Sequence, residues 1–66
     1  MWLVVGMANS KKSAVLMQNA LEAEGILFKL RNVSSKTRDG GDTYEILVLE
    51  SEASQAREVL VEQGLS

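Results

Sequence analysis

Apolar positions along the chain fall into three short runs and two periodic stretches. Residues 2–6, 26–31 and 43–49 are dense in β-branched, aromatic and leucine side chains. Runs of this length and composition predict strands. Between the first and second runs, Ala14, Met17 and Leu21 recur at helical spacing, flanked by Leu16 and Ala20. That stripe, with Asn9 or Ser10 as N-cap and Gly25 at the left-handed C′ position, predicts a helix over 10–24. After the third run, Ala53, Ala56 and Leu60, flanked by Val59 and Gln63, repeat the pattern. Ser51 is the expected cap there, Glu52 suits the positive end of the helix dipole, and Gly64 ends the helix.

The order is β-α-β-β-α. Short connections and right-handed crossovers favour an α+β fold: one antiparallel sheet with both helices on one face. This is the ferredoxin-like split β-α-β arrangement with its last strand missing. The third strand is then central, and the first keeps an unpaired apolar edge open to another chain.

Strand side chains alternate between faces. Leu3, Val5, Ile26, Phe28, Leu30, Ile46 and Val48 should line the helix-covered face. Trp2, Val4, Leu27, Leu47 and Leu49 fall on the other, mixed with Lys29, Arg31 and Glu45. Two short helices cover only one face, so an apolar cluster is left over, and such clusters mark contact sites. Trp2, the sole tryptophan, is the natural anchor of an interface with Val4, Leu27 and Leu47. Met7 and Met17 read as packing residues.

Length sharpens that reading. Sixty-six residues make one domain, 1–66. Chains below roughly 70–80 residues usually rely on disulfides, a metal or oligomerisation. With no Cys and no His, disulfides are excluded and the commonest zinc ligands are missing. Self-association, as a homo-dimer or higher oligomer, is the device left. A second reading is an adaptor that docks a different protein on the uncovered face.

Charge narrows the partners. The net charge is −2 with signs interspersed, which argues against general nucleic-acid binding. The longest apolar stretch, 1–5, is far too short to cross a bilayer and lacks a signal-peptide pattern. A cytoplasmic protein is expected.

Candidate chemistry is sparse. Residues 33–42 are polar, end in Gly40 and Gly41, and read as a long mobile hairpin loop. Lys36 and Arg38 from that loop, with Lys11 and Lys12 in the first turn of the first helix, form a candidate site for an anionic small molecule. The plain alternative is solvated surface. Glu45, Glu50 and Glu52 could hold Mg²⁺ or Ca²⁺, but read as solvated carboxylates. No nucleophile, base and orienting group come together. No enzyme activity and no cofactor is expected.

Several segments carry a resemblance. They are Met1-Trp2-Leu3-Val4-Val5, Leu21-Glu22-Ala23-Glu24-Gly25-Ile26, Leu30-Arg31-Asn32, Glu45-Ile46-Leu47-Val48 and Ala56-Arg57-Glu58-Val59-Leu60. Through them the chain resembles a small bacterial family of prokaryotic signal-transducing proteins, related in fold to the PII nitrogen regulators. Ser10 and Leu49 stand where that family often has proline. The resemblance implies a ferredoxin-like, PII-like core with a long loop after the second strand, and a regulatory role.

Overall fold

The computed structural model describes residues 1–33 and 43–65. It contains β1 (Trp2–Ala8), α1 (Lys11–Ala23), β2 (Phe28–Asn32), β3 (Tyr44–Leu49), a 3₁₀ turn (Glu50–Glu52) and α2 (Ala53–Glu62). The strands form one sheet in the order β1-β3-β2, and both pairings are antiparallel. The architecture is a small α+β fold, consistent with a ferredoxin-like fold in general. The expected loop of 33–42 lies, apart from Val33, outside the described residues.

Both helices pack on the same face of the sheet. Ala14, Met17 and Leu21 of α1 are buried, as are Ala53, Ala56, Val59 and Leu60 of α2. They meet Val5, Ala8, Ile46 and Val48 from the sheet in one core, with Leu3, Phe28 and Tyr44 packed at its margin. Leu30 was expected there too. It stands opposite buried Ile46 but is 40% exposed, because the helices do not extend over that part of edge strand β2.

The helix ends explain much of the local order. Ser10 caps α1, its hydroxyl accepting from the Ser13 N–H at 3.1 Å. Both helices close in Schellman motifs. Gly25 N–H donates to the Glu22 carbonyl and Ile26 N–H to Leu21; Gly64 N–H donates to Val61 and Leu65 N–H to Leu60. The glycines carry φ of 72° and 70°, a region other residues enter only with strain. The motif also turns Ile26 into the core, where it is 3% exposed. Ile26 therefore completes a helix cap, and β2 begins two residues later than its apolar run suggests.

The expected Ser51 cap is not formed. Glu50 N–H donates to the Met1 carbonyl at 2.8 Å, and the chain leaves β3 through the 3₁₀ turn. The turn delays the helix, so Glu52 takes the N-cap position without a side-chain hydrogen bond.

β1 differs from simple alternation at one place. Val4 pairs with Leu47, yet Gly6 pairs with Ile46. Val5 is an extra residue, a β-bulge. Val5 and Gly6 therefore both face the helices, and the phase changes after them. Met7 emerges on the open face at 53% exposure, while Ala8 is buried. This corrects the expectation that Met7 packs in the core. Met17 does so, at 5% exposure.

The bulge also presses the Gly6 backbone against the helices. A Cβ at Gly6 would lie 3.2 Å from Leu60 Cδ1 and 3.6 Å from Met17 Sδ. Gly6→Val is expected to destabilise by about 1–3 kcal/mol through overpacking. The β-propensity gain, within ~1 kcal/mol, does not offset it. Urea denaturation measures the difference.

Candidate functional site

The face of the sheet away from the helices is covered by no described element. The register places Trp2 beside Leu49, Val4 beside Leu47, and Met7 beside Glu45 on that face. Lys29 stands beside Leu47, and Arg31 beside Glu45. The result is an apolar strip along β1 and β3, with charged residues toward β2. Val4 is 37% exposed, and Trp2, Leu47 and Leu49 are half-buried.

Two side-chain contacts run across this face. Lys29 Nζ lies 4.4 Å from the Trp2 ring centroid. Trp2 is on β1 and Lys29 on β2, so this contact crosses β3 above Leu47 and Leu49. A cation over an indole at an exposed site contributes about 0.5–1 kcal/mol. Beside it, Arg31 Nε donates to Glu45 Oε1 at 2.8 Å, and Nη2 reaches the same oxygen. The Arg31 side chain is 59% exposed and Glu45 18%, so the pair contributes only about 0.2–1 kcal/mol. Its larger effect is positional: it holds two charges at the β2 side and leaves the β1 side apolar.

Of the expected interface residues, the structure brings Trp2, Val4 and Leu47 together on the open face. Leu27 lies outside the strands, 68% exposed. It lines a depression of about 400 Å³ with Glu22, Gly25, Ile26 and Phe28, at the end of α1. Met7 belongs to the face and was missed. The signal for it was Gly6, since an isolated glycine within a strand pattern marks a bulge.

Lys11 and Lys12 are exposed in the first turn of α1. Lys36 and Arg38 lie outside the described residues. The backbone does set the end of β1 beside the start of β3, where Ala8 pairs with Tyr44. Among the described residues no group of three or more His, Cys, Asp or Glu converges on a common point. Glu45 is engaged by Arg31. No described helix is long and apolar enough to cross a membrane.

No family model matches the chain, and comparison with curated proteins and with solved structures finds no match.

Proposed function

We propose that the chain is a non-enzymatic regulatory or binding module that acts as a homo-oligomer through the uncovered side of its sheet. The observation that carries this reading is the apolar strip of Trp2, Val4, Met7, Leu47 and Leu49, which no described helix covers. A small domain with so much apolar surface left over gains stability by burying it against another chain. Tryptophan is among the residue types that most often anchor interfaces energetically, and Trp2 lies at the Leu49 end of this strip. The strand order supports reading the fold as the split β-α-β unit without its last strand. That layout agrees with the resemblance to the prokaryotic signal-transducing family.

Trp2 supplies its own probe, being the sole tryptophan. Raising the protein concentration is expected to shift its emission to the blue and to reduce quenching by iodide. Emission and quenching that stay constant from micromolar to millimolar protein would sink self-association through this face. In that case the adaptor reading, with a different protein on the strip, takes its place.

A further inference from the structure

We propose that a second copy of the chain docks on the edge of β1 that no described strand pairs, antiparallel, with the two-fold axis passing beside Leu3. This rests on the reading that the chain self-associates, and specifies how.

The two edges of the sheet differ in kind. Strand β2 carries Lys29 and Arg31, and charges on an edge strand discourage pairing. Strand β1, Trp-Leu-Val-Val-Gly-Met-Ala, has neither charge nor proline. The central strand β3 carries Glu45. Among the described strands, β1 alone is uncharged throughout. A strand laid beside it must match apolar residues on both faces, and β1 of a second copy does.

Backbone direction selects the register. Glu50 N–H donates to the Met1 carbonyl, and Leu3 pairs with Val48 two residues further on. In an antiparallel ladder, residues alternate between turning their N–H and C=O toward the partner and away from it. Met1 and Leu3 therefore turn theirs toward β3. Trp2 and Val4 turn theirs to the free edge. Past the bulge the phase shifts, and Met7 rather than Gly6 faces outward.

A two-fold axis beside Val4 would set Trp2 against the inward-facing Gly6, and the ladder would fail. An axis beside Leu3 sets Trp2 of one copy against Val4 of the other. Each then donates to and accepts from its partner, twice over by symmetry. The Trp2 and Val4 side chains become cross-strand neighbours on the open face, with Cα atoms about 5.5 Å apart. At the seam the Trp2 and Val4 side chains of each copy bury their flanks against those of the other, and this is the part of the open face that the dimer covers. The contact is isologous and therefore closes. Both outer edges of the joined sheet are then β2, whose cations oppose further growth.

The test is a mixed sample of ¹³C-labelled and unlabelled chains, examined by isotope-filtered NMR with amide exchange across concentration. The expected result is an intermolecular contact between the Leu3 Hα protons. The Trp2 and Val4 amides should become protected as concentration rises. Val4→Pro removes an outward N–H that proline can spare at an edge. It should weaken association at least tenfold while the β3 amide shifts persist. If Val4→Pro unfolds the chain, the wild-type contact still decides the question. An oligomer in which Trp2 and Val4 amides exchange as fast as in dilute protein overturns the edge pairing but leaves self-association standing. A chain that stays monomeric overturns both.

Discussion

Leu60→Ala is expected to lower the unfolding free energy by about 3–5 kcal/mol, the upper part of the range for leucine truncation. Leu60 is fully buried. The cost of truncation depends on how well the site collapses afterwards. Here the neighbouring surface is partly the backbone of Gly6, packed so closely that a Cβ added there would lie 3.2 Å from Leu60 Cδ1. A strand backbone held in a ladder cannot move in as a side chain can, so the void persists. At ~0.05–0.15 kcal/mol per residue, a domain of this size has roughly 3–10 kcal/mol in total. The variant should therefore lose most of its denaturation midpoint. Val61→Ala, one position on and 63% exposed, should stay within about 0.5 kcal/mol of the parent. A loss below about 1 kcal/mol for Leu60→Ala would mean that α2 is not seated on β1 as described.

Trp2→Ala should act on assembly and stability together. In a single chain the ring contributes its contact with Lys29, about 0.5–1 kcal/mol, and partial cover of Leu47 and Leu49. Between chains it is the anchor, where truncation of an aromatic hot spot costs about 2 kcal/mol or more. The interface term is the larger. Because assembly stabilises only the folded chain, the loss in apparent stability should grow with protein concentration. Thermal melting of both proteins over a dilution series reads this directly. A deficit independent of concentration would confine the role of Trp2 to the single chain.

Much of this fold is legible in the residues because its punctuation is unambiguous. Gly25 and Gly64 end helices for a backbone reason that side-chain context does not override. The stripes Ala14-Met17-Leu21 and Ala56-Leu60 have one period and bury one face. The Ile46 and Val48 alternation gives the inner face of the central strand. The failures have physical causes of their own. Ile26 is apolar enough to extend a strand but is taken by the helix cap. Ser51 is a good capping residue placed where the Glu50 to Met1 bond imposes a tighter turn. The Val5 bulge changes the face of Met7, and only Gly6 hints at it. The open face was legible as a pattern, while the Trp2–Lys29 contact across β3 was not, because it depends on strand order in space. The anion-site reading draws on Lys36 and Arg38, which lie outside the described residues.

Sedimentation equilibrium of the unmodified chain, from micromolar to millimolar, tests the central claim most directly. The account predicts a mass that rises with concentration from 7.2 kDa for the single chain to twice that value or more. A mass that remains that of one chain across the whole range would contradict it.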